Sequence, residues 1–172
     1  MKREILVYPD PRLEEKAEPI EKVTPEIKKL AEDMVETMYE ADGIGLAAPQ
    51  VGECCRMIVV DITGPKLRSD LKVILNPEIV SEEGEIESEE GCLSVRELRS
   101  KVKRAEKVRL KGMDLEGKPV DLEADDILAV CLQHEIDHLE GTLFIDRLSR
   151  LKRTLYDKKV KKWEKLEKAN SA

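Results

Sequence analysis

Apolar residues at Ile27, Leu30, Ala31, Met34, Val35 and Met38 recur every three or four positions, the spacing that turns one face of a helix toward a core. Thr24-Pro25 supplies a capping hydroxyl and a proline at the first helical position, so a helix is expected from there to about Ala41. Asp42-Gly43 should stop it, the glycine taking the left-handed conformation past the helix end, and loop should follow. Downstream the pattern changes. Residues 56–61 are rich in β-branched side chains, residues 72–75 run up to an Asn76-Pro77 break, and residues 108–110 and 120–122 alternate across a Glu116-Gly117 turn. These segments predict antiparallel strands. Asp125-Asp126 then offers a cap for a helix whose apolar side is Ile127, Leu128, Cys131 and Leu132 and which ends near Gly141. A last helix starts around Ser149, with Leu148, Leu151, Leu155, Trp163 and Leu166 as its core-facing stripe.

The order helix, strands, helix, helix predicts an α+β fold in which antiparallel sheets pack around a central helix, with an N-terminal and a C-terminal helix outside them. A doubly wound nucleotide-binding fold is disfavoured, because Gly43-Ile44-Gly45 follows a helix rather than a strand and lacks the third glycine of a dinucleotide fingerprint. The 172 residues, 41% of them hydrophobic, suffice for one core and leave no composition shift that would mark a second domain, so residues 1–172 are read as a single domain. No apolar run approaches the roughly 20 residues of a membrane span. The opening Met1-Lys2-Arg3-Glu4 precedes no apolar stretch of the secretory kind, which makes the cytoplasm the expected location. Four cysteines, at 54, 55, 92 and 131, show no disulfide framework and are expected to be reduced.

Net charge changes the picture at one end. The chain carries −7 overall, yet residues 147–168 hold ten basic and three acidic side chains. That helix, at about 149–168, is either a solvated amphipathic helix or a surface for a polyanion.

The chemistry is concentrated in His134-Glu135-Ile136-Asp137-His138, which holds both histidines of the protein. Two imidazoles four residues apart on a helix rise about 6 Å along one face and can converge on one metal ion. Glu135, about 100° round the helix from His134, is poorly placed as a ligand but close enough to touch a water on the metal, which is where a general base belongs. Asp137 reads as a surface carboxylate. With no third histidine, a carboxylate or a cysteine must complete the ligand set. Cys131 lies too far along the axis from His138 to share its ion easily, and adjacent Cys54 and Cys55 would point to opposite faces of an extended chain, as packing residues do. Cys92, in Glu90-Gly91-Cys92-Leu93-Ser94, is the preferred candidate, since a glycine-preceded loop can present a thiolate with nearby N–H groups. The other cysteines and a carboxylate stay open on spacing alone.

Three segments together resemble peptide deformylases: Gly43-Ile44-Gly45-Leu46-Ala47-Ala48-Pro49-Gln50, Glu90-Gly91-Cys92-Leu93-Ser94 and Gln133-His134-Glu135-Ile136-Asp137-His138-Leu139-Glu140-Gly141, in the family's order and at family-like separations. The resemblance extends from Pro9-Asp10-Pro11 through Leu148. It implies a hydrolase that removes the formyl group from N-formylmethionine at the start of newly made polypeptides and releases formate. By the same resemblance Cys92, His134 and His138 hold the metal, a metal-bound water attacks the formyl carbon, Glu135 serves as general base and then acid, and Gln50 with the backbone N–H of Leu93 receives the oxyanion. Gly45 is placed beside the substrate backbone, Ile44, Glu90, Ile127, Val130 and Cys131 around the methionine pocket, and Arg99 near the peptide path. The family typically works with Fe²⁺, although Zn²⁺, Ni²⁺ or Co²⁺ can occupy such a site. The basic last helix would then meet ribosomal RNA phosphates, without any sequence-specific nucleic-acid partner. One departure is that many relatives carry a proline where this chain has Arg96, after Ser94-Val95. The loss of a rigid residue there bears on the loop and on substrate contacts past Ser94, not on metal ligation. The nearest alternative, a general metallopeptidase, usually takes its third ligand downstream of the helix, whereas Cys92 lies upstream. A binding module with a purely structural metal site would not need both Glu135 and Gln50.

Overall fold

A computed structural model describes residues 1–171. Five antiparallel strands form the main sheet in the order β1-β2-β3-β6-β7: β1 (Gly45–Ala47), β2 (Met57–Val60), β3 (Lys72–Glu83), β6 (Lys107–Met113) and β7 (Pro119–Asp125). A separate antiparallel hairpin is made by β4 (Ile86–Cys92) and β5 (Val95–Arg104). Helix α1 (Pro25–Glu40) covers β1 and β2, a short α2 (Gly64–Leu67) follows β2, and α3 (Asp126–Leu139) runs through the middle against both β1 and β7. Helix α4 (Arg150–Ser171) closes the order. This is the expected α+β arrangement of antiparallel sheets around a central helix. Among the described residues no helix is long and apolar enough to cross a membrane.

Helix α1 starts as its sequence dictates, with the Thr24 hydroxyl accepting the Ile27 N–H at 3.2 Å and with Leu30, Ala31, Met34 and Met38 buried. Its end differs from expectation. Asp42, not Gly43, takes the left-handed conformation, at φ 61°, as a short polar side chain can. The residues after it are not loop either, because Gly45–Ala47 pairs with residues 58–60 of β2. Strand β3 likewise continues past its predicted break. Asn76 adopts φ 51°, the register shifts around Pro77, and the Asn76 amide both accepts from the Ile20 N–H and donates to the Ile20 carbonyl, each at 2.8 Å. A side chain that mimics a neighbouring strand turns the break into a bulge.

The hairpin β4-β5 was hidden from periodicity by its charges: those of Ile86–Cys92 are all acidic, and those of Val95–Arg104 are basic but for Glu97. Val95, Ser100, Val102 and Arg104 of β5 are buried, and Leu98 packs partly buried beside them. The predicted cap of α3 also fails, since Asp125 makes no capping bond and Asp126 sits at φ 48°. Ile127 points outward, 63% exposed, while residues 129–135 are buried without interruption. Gln133 pins this helix by donating to the carbonyls of Ala105 (2.9 Å) and Ala129 (3.0 Å) and accepting from the Ala105 N–H (3.0 Å).

Helix α4 keeps part of the predicted stripe, since Leu148 just before it and Trp163 lie against the core, but its leucines do not. Tyr156 and Val160 are buried, with Trp163 packed beside them, whereas Leu151, Leu155 and Leu166 are more than half exposed. The two stripes lie about 100° apart on one helix. Hydrogen bonds choose between them: Tyr156 donates to the Arg96 carbonyl at 2.8 Å, and Tyr8 donates to Asp157 at 2.5 Å. Cys54 is exposed rather than packed, while half-buried Cys55 sits on the α1 core.

Candidate active site

Two separate pieces of the fold meet at the site. Helix α3 brings His134 and His138 to one face, and β4 ends at Cys92, just before the two-residue turn Leu93-Ser94 of the hairpin. The cysteine is therefore held by strand geometry rather than by an open loop. Cys92, His134 and His138 offer ligand atoms that all lie within 4.8 Å of one another. Cys92 Sγ is 3.4 Å from His138 Nε2. His134 Nδ1 lies 2.8 Å from Oε1 of Glu90, which fixes the proton on that nitrogen and leaves Nε2 as the ligand atom. Cys131 stays outside this cluster, with its Sγ directed to the Ile44 carbonyl at 3.8 Å.

The electrostatics suit a cation. Burial pushes the His138 imidazole well below its ordinary value and keeps it neutral, as a ligand must be. Burial also opposes protonation of His134, but the hydrogen bond to Cys92, the charge of Glu135 and the hydrogen bond to Glu90 outweigh it and raise its imidazole well above the ordinary value. Burial would raise Glu90 too, yet Arg104 and His134 hold its carboxyl at about 2. Cys131, fully enclosed, is pushed far up by burial and then by Glu135, and it remains a thiol. Glu135 is the exception among the carboxylates. It is buried, its Oε1 has no hydrogen-bond partner, and burial pushes it up to about 7, a value a cation beside it would draw down. A carboxylate kept unpaired and near neutrality is suited to exchanging protons. One sulfur and two imidazoles fit a divalent metal ion and leave a coordination position for a small ligand.

A cleft of about 840 Å³ opens over this cluster, bordered by Gln50, Cys92, Leu93, His134 and Glu135. Ile44, Gly45, Glu90, Arg99, Ile127, Val130 and Cys131 border it as well. Val130 and Cys131 are buried, whereas Ile44 and Ile127 are exposed at 40% and 63% and belong to its rim. Glu90 reaches the cleft, but its carboxylate is taken up by Arg104 and His134. Arg99 is exposed, 3.8 Å from Glu89. Arg96 is not on the cleft wall. Its guanidinium stacks over Trp163 at 5.2 Å and pairs with Glu167 at 3.5 Å, so the residue in the proline position ties β5 to α4.

Gln50 is oriented without ambiguity. Its Oε1 accepts the Ala47 N–H at 2.9 Å, which forces the amide nitrogen the other way, 3.0 Å from Ser94 Oγ and 3.7 Å from Cys92 Sγ. Gly45 is needed for a different reason. A Cβ there would overlap the Glu135 carboxylate and come within 2.9 Å of Cys131 Sγ. Gly45→Ala should displace Glu135 and slow turnover roughly 10²-fold, the cost of about 1 Å of misplacement, with metal content unchanged. A steady-state rate equal to that of the parent would show that the carboxylate has room to move.

Sequence reading missed Arg104 and underrated Asp137, which is only 14% exposed and accepts from Arg104 and Arg147. The available signal was an arginine in the inward phase of an alternating strand, two residues after Val102.

Comparison with known proteins agrees with this geometry. The sequence model described as polypeptide deformylase matches residues 2–154. A peptide deformylase of Alkalilimnicola ehrlichii is 51% identical over 92% of this chain and 89% of its own length. The crystal structure of a peptide deformylase from Legionella pneumophila superposes with a TM-score of 0.90 at 48% identity, covering 97% of this chain and 98% of the other. That of Ehrlichia chaffeensis, in complex with actinonin, gives 0.88 at 38% identity over 95% and 98%. With a family match spanning most of its length and relatives near half identity, the chain belongs to the polypeptide deformylase family.

Proposed function

We propose a division of labour among these residues for a hydrolase that removes the N-terminal formyl group from newly made polypeptides and releases formate. The observation that carries it is a buried, unpaired Glu135 carboxylate beside three convergent ligand atoms at the floor of a peptide-sized cleft. Cys92, His134 and His138 would hold a divalent cation, which when bound supplies Lewis acidity toward water and the formyl carbonyl. Glu135 takes a proton from the attacking water and returns it to the departing amine. The Gln50 amide and the backbone N–H of Leu93 donate to the oxyanion as it forms. Val130 and Cys131, with Ile44 and Ile127 at the rim, offer an apolar recess for the methionine side chain, Gly45 lets the peptide backbone approach, and Arg99 lies along its outward path. Glu90 acts on His134 rather than on substrate. We infer Fe²⁺ as the working ion among the divalent metals such a donor set takes, Zn²⁺, Ni²⁺ and Co²⁺ included; metal analysis of anaerobically purified protein decides this.

Residues 1–172 act as one catalytic domain of the cytoplasm. Formate release from formyl-Met-Ala-Ser, set beside cleavage of an internal peptide bond, tests the activity: only the former is expected, and the reverse would favour a general metallopeptidase. The outward lysines of α4 serve ribosome binding, since the face that packs is the Tyr156 and Val160 side. Replacing Lys158, Lys161, Lys162 and Lys165 with glutamine should weaken salt-dependent binding to ribosomes in a co-sedimentation assay and leave hydrolysis of the tripeptide unchanged. Binding equal to that of the parent removes the idea.

A further inference from the structure

Arg104 is the last residue of β5, and its side chain is 2% exposed. Its Nε and Nη2 donate to the two oxygens of Glu90 at 2.7 and 2.8 Å, and its Nη1 donates to Asp137 at 2.6 Å. Asp137 is held from the other side by Arg147, at 2.7 and 2.8 Å. Glu90 in turn stands two residues before Cys92 on β4 and grips His134 at 2.8 Å. One guanidinium thus touches the strand that ends in the sulfur, the carboxylate that aims one imidazole, and the helix residue just before the other.

We propose that Arg104 is a positioning residue for the metal centre, acting through Glu90 to keep the His134 imidazole and the Cys92 sulfur converged, and so setting how long a bound ion would be retained. This rests on Cys92, His134 and His138 being the ligands. A buried ion pair is a poor source of stability, because desolvation of both charges cancels most of the attraction. What a planar, forked donor supplies is direction: two parallel bonds leave Glu90 one orientation, and the third bond ties that orientation to α3. Charge balances within the group, two arginines against two carboxylates. Groups hydrogen-bonded behind a metal ligand fix its ring and tautomer, and losing one costs 10- to 100-fold in metal affinity in comparable sites.

The test uses the holoenzyme loaded with Co²⁺, with release followed by a chromogenic chelator and the visible spectrum of the bound ion recorded. Arg104→Met and Glu90→Gln should each speed release by about 10- to 100-fold and shift the spectrum. The double variant should release no faster than the faster single one, because both changes break the same link. Arg104→Lys, which keeps the charge and loses the fork, should fall between parent and Arg104→Met, and it replaces Arg104→Met if that variant does not fold. Arg109→Met, which breaks the exposed pair with Asp121 on β6 and β7, is the control expected to match the parent. Release from the arginine variants within twofold of the parent, or additive effects in the double variant, overturns the proposal while leaving the ligand assignment standing. Failure of the parent itself to hold one Co²⁺ per chain overturns both.

Discussion

Glu135→Ala should lower formate release by about 10³-fold, within the range general acid–base groups contribute, while the protein keeps its metal. The separation follows from geometry: Glu135 borders the cleft but is not among the three convergent ligand atoms, so its loss removes a proton carrier and not a donor. Stability should move the other way. A buried carboxylate with an unpaired oxygen, pushed up to about 7 by burial, is a cost to folding. Glu135→Gln, nearly equal in volume and uncharged, should therefore melt no lower than the parent and remain as inactive as Glu135→Ala. Thermal unfolding, metal analysis and the formate assay on the same preparations check all three points. Substantial activity in either variant would move the proton-transfer role elsewhere, and loss of metal would make Glu135 a ligand.

The second large effect is expected at Gln50. Removing a side-chain donor from an oxyanion site costs about 3–4 kcal/mol, or two to three orders of magnitude in rate. Gln50→Ala also strands the Ala47 N–H, which now donates to Oε1, so part of any loss could be structural. Gln50→Glu separates the two. It keeps an acceptor for Ala47 and puts a carboxylate where the amide donor pointed. Comparable falls in kcat for both variants, with the melting temperature of Gln50→Glu closer to that of the parent, would assign the effect to the lost donor. A kcat within fivefold of the parent in Gln50→Ala would exclude it.

The convergence of Cys92, His134 and His138 was legible in the sequence because each sits in a short segment of characteristic spacing: two histidines one helical turn apart with a glutamate between them, and a cysteine directly after a glycine. The surroundings were not. Hairpin β4-β5 escaped because both its solvent face and its inward arginine are charged, which erases the alternation that marks a strand. Asp137 looked exposed by type, and only its two arginine partners, 33 residues before and 10 after, show otherwise. On α4 Trp163 was placed correctly, but the leucines were not, because leucine outranks tyrosine on hydropathy alone, while Tyr156 and its neighbours are turned inward with bonds to Arg96 and Tyr8 that no periodicity encodes.

A helix enclosed on almost every side, as α3 is over residues 129–135, has given up the contrast between greasy and wet flanks that ordinarily sets its roll about its own axis. Gln133 restores that orientation by other means, seating its amide on the main chain of Ala105 like a key in a slot. A slip of one position would swing the neighbouring imidazoles through about 100° and part them from the Cys92 sulfur, so a neutral amide that does not border the cleft keeps that side of the helix turned toward β4.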